Sequence, residues 1–369
     1  MVVSSFLSFA LGFIPVNQKV KNIIMMVIYI VLFGGLMIVY FLGIDSESGN
    51  VINVYLNISR YYIFGKWFYD GLTKANITNF LLFSGLSVGL LVIFVLIVSC
   101  FFLKINGAMS RNKTKSNYRL NKEKFESSSV SKAILFKELR TLFNAPQVLI
   151  QLLGGPIMSL VAVVVLTIMS KNGGTFGELL KNADANSFVL VFSVIICFSL
   201  TMVSTTSSTI SLEGKSFWII KSAPVPAKQV IKAKCLVNLL LMLPIAFICI
   251  VFVTIFYKSN IFISLLGLLF NVLYVMFSTF LGLLFNLKYY KFDYDNPVKA
   301  VKQGKAVLLT MLVDMGGTII ISIMIAISAY FAGPFIGVLS GVAFSSILAF
   351  LTLYLLNTKG VKLYEEICC

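Results

Sequence analysis

Residues 261–286 read IFISLLGLLFNVLYVMFSTFLGLLFN, 26 consecutive positions without a charged side chain. A helix of that length exceeds the ~30 Å of hydrocarbon in a bilayer. A lipid-exposed span must be helical or a closed barrel, because lipid offers no partner to a free peptide N–H or C=O. Working outward from this stretch, seven further runs have the same character: 22–44, 80–103, 148–169, 187–206, 236–257, 306–331 and 335–357. The chain reads as an all-α polytopic membrane protein with eight transmembrane helices. Residues 2–16 are apolar too, but at about 22 Å of helix they are too short to cross. They read as a partial ninth span at the N-terminus, the end of one begun earlier. A signal peptide fits less well, since no basic residue precedes the run and no A-x-A site follows it.

Composition agrees. The 369 residues are 59% hydrophobic and 12% charged, against about 45–50% and 25% in soluble domains, which excludes a soluble core. Of the 30 Lys and Arg residues, 24 fall in 15–21, 104–147, 207–235, 287–305 and 358–369. The other six are Arg60, Lys66, Lys74, Lys171, Lys181 and Lys258. The positive-inside rule assigns the first set to the cytoplasm, together with the C-terminus, in a plasma-membrane protein. The net charge of +16 is thus mostly topological, and without a soluble basic domain no nucleic-acid partner is expected. Histidine is absent, which removes the commonest general base and metal ligand together. Cys100, Cys197, Cys235, Cys249, Cys368 and Cys369 form no CxxC and read as reduced thiols. With no second deep carboxylate, an intramembrane enzyme is disfavoured and no metal or cofactor is expected on this chain.

A basic, Ser- and Asn-rich stretch over 104–130 reads as a cytoplasmic linker between a front block, 1–103, and a rear block of six spans, 147–357. A tail, 358–369, follows. Ser8-Phe9-Ala10-Leu11-Gly12 closes an apolar segment before a basic loop, as Ser278-Thr279-Phe280-Leu281-Gly282 does. The same order of elements follows each. We read two six-span repeats, the first represented by its C-terminal half alone, so that a missing N-terminal half or a second permease subunit is expected to complete the unit.

Between linker and spans, 131–146 forms an amphipathic helix. Leu135, Phe136, Leu139, Leu142 and Phe143 lie on one face, with Lys132, Lys137, Arg140 and Thr141 on the other, and Pro146 ends it. The loop between the spans at 187 and 236 runs SLEGKSFWIIKSAPVP from Ser211. Ser211 is placed to cap a short helix with Glu213 in its first turn, and Pro224 and Pro226 stop it. Phe217, Trp218, Ile219 and Ile220 cannot all face one core, so some must bury against a partner or against lipid. Gly214-Lys215-Ser216 resembles the end of a phosphate loop, but the glycine needed five residues earlier is Thr209.

On these residues the chain resembles the membrane subunits of type-2 ATP-binding-cassette exporters. Their six-span domain begins with an amphipathic elbow helix, and a cytoplasmic coupling helix joins its second and third spans. The family's loop runs acidic residue, Gly, hydrophobic helix, then Pro-Val and a basic stretch. Here these are Glu213, Gly214, Lys215, Phe217 to Ile220, Pro224, Val225 and then Lys228, Lys232 and Lys234, with the acidic residue and the glycine closer together than usual. Lys137, Glu138, Leu139, Arg140 and Phe143 resemble the elbow. The resemblance implies an exporter permease that is not itself catalytic. Separate cytoplasmic ATPase subunits would carry ATP and Mg, and the remaining partner would be membrane lipid.

Asp314 is the one acidic residue deep in a span, about 12 Å from its cytoplasmic end. It reads either as a clamp between helices beside Gly316 and Gly317 or as the carrier site of a proton- or ion-coupled secondary transporter, with Asn271 of the preceding span expected to hydrogen-bond it. The outer segment 45–79, with Tyr61, Tyr62, Phe64, Trp67, Phe68 and Tyr69, reads as an aromatic belt, whereas the family resemblance implies a segment that dips into the membrane near an exit gate.

Overall fold

A computed structural model describes Ile28, Gly35, Trp67, Phe68, Asp70 and Lys74 singly, then 77–111 and 129–367 apart from 173–183, 203 and 295–296. All regular structure among these residues is helical. The expected partial span at 2–16, the span at 22–44 apart from Ile28 and Gly35, and most of the outer aromatic segment lie outside them, as does the first copy of the Ser-to-Gly motif. Six helices among the described residues are long and apolar enough to cross a membrane, and a shorter apolar stretch lies at Gln151–Thr167.

The chain forms two compact units. In the first, α1 runs Ile77–Arg111, so the helix continues through the opening residues of the expected linker. None of its side chains over 77–97 is buried.

The second unit contains α2 (Val130–Asn144), α3 (Pro146–Asn172) and α4 (Ala185–Thr201). A loop with two short helices, α5 (Thr209–Glu213) and α6 (Phe217–Ser222), leads to α7 (Ala227–Tyr257) and α8 (Ile261–Lys288). Then come α9 (Pro297–Gln303), α10 (Lys305–Ala332), α11 (Pro334–Leu355) and α12 (Val361–Glu366). The tight connections carry the residues they require. Lys258 takes the left-handed conformation at φ 51° to end α7, and the Asn260 side chain accepts a hydrogen bond from Phe262 N to start α8. Gly333, at φ 88°, turns α10 into α11, whose first residue is Pro334.

Helix α8, which contains the uncharged stretch 261–286, is central and packs against α4, α7, α10 and α11. Its Phe270, Tyr274, Val275 and Leu283 are buried. The outer apolar side chains are not: Phe247, Ile255, Phe262, Leu312, Ile320 and Phe350 are all more than half exposed. A bundle with an apolar rim is what lipid as solvent selects. A second hydrophobic cluster lies at the basic end, where Ile210, Phe217, Val230 and Ile231 meet Leu283, Leu287, Leu356 and Tyr364. Here the first part of the expected tail is a packed element, because the helix runs on from α11 through a π turn at Leu356–Gly360 into α12.

Candidate functional site

The basic end of the second unit holds a buried ionic cluster drawn from three elements. Lys234 lies on the inner face of α7, four residues after buried Val230 and four before buried Asn238, and its side chain is 0% exposed. Its Nζ stands 3.0 Å from Glu138 Oε1 of α2, pairs with Glu213 Oε1 of α5 and lies 3.3 Å from Thr209 Oγ1. Half-exposed Lys137 closes the group at 3.2 Å from both Glu138 Oε1 and Glu213 Oε2. Two carboxylates and two ammonium groups leave the cluster neutral, the condition under which ions tolerate burial. Burial by itself pushes the Glu138 carboxyl up; Lys234 and Lys137 outweigh it and hold that carboxyl below its ordinary value.

The amphipathic reading of α2 is corrected in one respect. Its buried side is Ile134, Glu138 and Leu142, with Leu135 and Leu139 beside them, while Phe136 and Phe143 are exposed. The helix inserts a carboxylate at the centre of its packed face, and Arg140 stays on the exposed side. A count of apolar residues does not find Glu138, because its burial depends on a lysine 96 positions away.

The loop after α4 is built in two halves. The first is a run of buried hydroxyls, 204–208, tied to the spans. Asn238 Oδ1 accepts from Thr205 N at 2.9 Å and Thr205 Oγ1 at 2.8 Å, while its Nδ2 donates to Thr279 Oγ1 at 2.7 Å. Asn286 Oδ1 accepts from Ile210 N at 2.7 Å. A Cβ on Gly282 would come within 2.9 Å of Thr206 Oγ1, so the glycine of the Ser-to-Gly motif admits this turn against α8. Ser211 does not cap a helix. It lies inside α5, and its Oγ accepts from Asn286 Nδ2 at 3.1 Å and from Lys291 N at 3.3 Å.

The second half begins at Gly214, whose φ of 51° and ψ of −132° suit glycine and break the expected single helix in two. Only the backbone of Lys215 is among the described residues. α6 then divides its four apolar residues. Phe217 and Ile220 turn inward at 1% and 9% exposed, and Trp218 and Ile219 turn outward at 57% each. The Phe217 ring stacks on Phe292 at 5.3 Å and meets Tyr364 edge-on at 5.7 Å. Lys221 Nζ donates to the carbonyls of Tyr364 at 2.7 Å and Glu365 at 2.8 Å, a cation at the C-terminus of α12 where the helix dipole favours it. Ala223 is extended before exposed Pro224, as the proline ring demands.

Asp314, fully buried on α10, accepts from Ser278 Oγ at 2.6 Å through Oδ2, and its main-chain carbonyl accepts from Tyr274 OH at 2.9 Å. A Cβ on Gly317 would come within 2.6 Å of that hydroxyl, so Gly317 makes room for Tyr274. The expected partner, Asn271, is not there; its Nδ2 donates to Gly267 O of its own helix at 2.9 Å. The depths explain this. Asp314 and Ser278 lie nine and ten residues from the basic ends of α10 and α8, and Asn271 lies about two turns farther on. No group of three or more potential metal ligands occurs among the described residues.

Over residues 1–359 the sequence matches a family model described as a membrane protein of 12 TMs. No curated protein and no solved structure matches it.

Proposed function

This chain belongs to that family of twelve-span membrane proteins, and on that premise we propose that it is the permease subunit of an ATP-binding-cassette exporter of the plasma membrane. ATP hydrolysis would occur on separate cytoplasmic ATPase subunits. Two six-span repeats amount to the twelve spans of the family description. The observation that carries the reading is the division of α6. Trp218 and Ile219 project from the basic end, while Phe217 and Ile220 anchor the same helix into the bundle. An aromatic side chain presented on an anchored support is a typical interface hot spot.

The mechanism follows from the contacts. A partner closing on Trp218 displaces α6. The displacement reaches α5 through Gly214 and reaches α7 and α2 through the shared ions of Glu213, Lys234 and Glu138. It reaches α8 through Asn286. In this reading α2 is the elbow and α6 the coupling helix. Rigid helices joined by discrete polar contacts tilt as bodies between two states, so cytoplasmic closure becomes access at the opposite face.

Affinity purification of the tagged chain from its native membrane tests this. The reading expects an ATPase of the ATP-binding-cassette class in near-stoichiometric yield. Transport by the chain alone in proteoliposomes, with no need for ATP, contradicts it and favours the second reading, a proton- or ion-coupled secondary transporter. One observation speaks for that alternative: Asp314 is entirely buried and its Oδ1 has no hydrogen-bond partner among the described residues.

A further inference from the structure

Helix α12 lies against α6, and neither transport reading uses that contact. Lys221, on the last turn of α6, donates from Nζ to Tyr364 O at 2.7 Å and to Glu365 O at 2.8 Å. The same ammonium group stands 5.2 Å from the centre of the Tyr364 ring. One turn back on α6, Phe217 meets that ring edge-on. Ile367 is 3% exposed in the same cluster, with Val361 and Leu363 packed against it. A helix of six residues is far too short to hold its shape alone, so the orientation of α6 is set by what it packs on.

α12 is also the continuation of a membrane-spanning helix. The π turn that leads to it from α11 buries Leu356 and Gly360 and exposes Asn357, Thr358 and Lys359. A Cβ on Gly360 would come within 2.8 Å of Leu356 Cδ1 and 3.5 Å of Leu284 Cδ2, so the glycine seats the turn against α8. Farther along, α11 is pressed onto α10. A Cβ on Gly337 would lie 2.7 Å from Ala329 Cβ, and one on Gly341 would lie 2.7 Å from Ile325 Cδ1. Packing that close resists sliding, so α10 and α11 move as one body. We propose that α12 clamps α6 in its presenting orientation and couples it to α11. One consequence rests on the permease reading: a load on Trp218 and Ile219 enters the α10–α11 hairpin that carries Asp314, beside the routes through α2, α7 and α8.

Amide hydrogen exchange on the full chain in phosphatidylcholine nanodiscs reads the clamp locally. Lys221→Met keeps an unbranched apolar stem and removes the ammonium donor. It should accelerate exchange about tenfold in 217–222 and likewise in 361–367, at an unchanged melting temperature. Lys221→Arg should restore wild-type protection, and Lys228→Met, at an exposed lysine on the first turn of α7, should leave it unaltered. Inserting one alanine between Thr358 and Lys359 turns α12 by about 100° and should accelerate 217–222 with Lys221 intact. Acceleration confined to 217–222 in Lys221→Met overturns the coupling to α12 and α11, and wild-type protection of both segments overturns the clamp. No arm uses an ATPase, so the permease reading can fail on purification while the clamp stands, and the clamp can fail while an ATPase still co-purifies.

Discussion

Lys234 Nζ lies 3.0 Å from the Glu138 carboxylate, and both side chains are buried. That contact joins the amphipathic helix α2 to α7, the helix that follows the loop presenting Trp218. Because Glu213 shares the same ammonium group, the three elements move together or break a buried ion pair.

Breaking it is costly in a specific pattern. Lys234→Met leaves two buried carboxylates with only the half-exposed Lys137 between them and should destabilise the chain by about 3–5 kcal/mol, seen as a lower melting temperature in detergent. Adding Glu138→Gln and Glu213→Gln removes the uncompensated charge and should recover most of the loss. A triple variant as unstable as Lys234→Met would show that packing, not charge, dominates there.

Acid should loosen the same junction. The Glu138 carboxyl is held below its ordinary value by Lys234 and Lys137, so the unfolded state binds its proton first on acidification. The stabilisation is complete above the ordinary glutamate value of about 4.3 and is lost as pH falls through the lower folded value. Melting temperatures of wild type should therefore fall below about pH 4.3 more steeply than those of Glu138→Gln. Parallel curves would remove Glu138 from the account.

Phe217 and Trp218 should separate cleanly despite being neighbours. Phe217→Ala empties a site enclosed by Phe292 and Tyr364 and should cost about 3–5 kcal/mol of stability. Trp218→Ala, on the exposed side, should leave the stability within about 0.5 kcal/mol of wild type. Equal destabilisation by both would contradict the division of α6.

Asp314 distinguishes the two transport readings. Asn retains an acceptor for Ser278 Oγ but does not titrate, whereas Leu retains neither property. The permease reading expects transport to survive Asp314→Asn and to fail in Asp314→Leu. Failure of both at normal expression favours the ion-coupled carrier.

Much of this was legible in the sequence, for physical reasons. Run length alone located α8, α10 and α11, because lipid tolerates only a continuous helix there. The four consecutive apolar residues at Phe217 required two opposed environments, and α6 supplies them. Other features depend on tertiary partners that periodicity does not encode. Lys234 counts as one more basic residue of a cytoplasmic loop until Glu138 and Glu213 meet it. Ser278, rather than Asn271, partners Asp314 because it lies at the same depth, ten residues from the basic end of α8 against nine for Asp314 in α10, whereas Asn271 lies seventeen residues in. The residues after 357 read only as a cytoplasmic tail, yet Tyr364 and Ile367 enter the cluster around Phe217.

The central claim is that the outward face of α6 receives an ATPase. The most direct measurement is ATPase recovery with the tagged chain from native membranes, wild type against Trp218→Ala with Ile219→Ala, at matched expression and melting temperature. Truncating a buried aromatic anchor costs about 2 kcal/mol or more, roughly thirtyfold in affinity. The account therefore predicts that the double variant loses the ATPase and ATP-dependent transport together while still inserting in the membrane. Stoichiometric ATPase with the double variant, or a loss that follows only the anionic lipid content of the membrane, would contradict it.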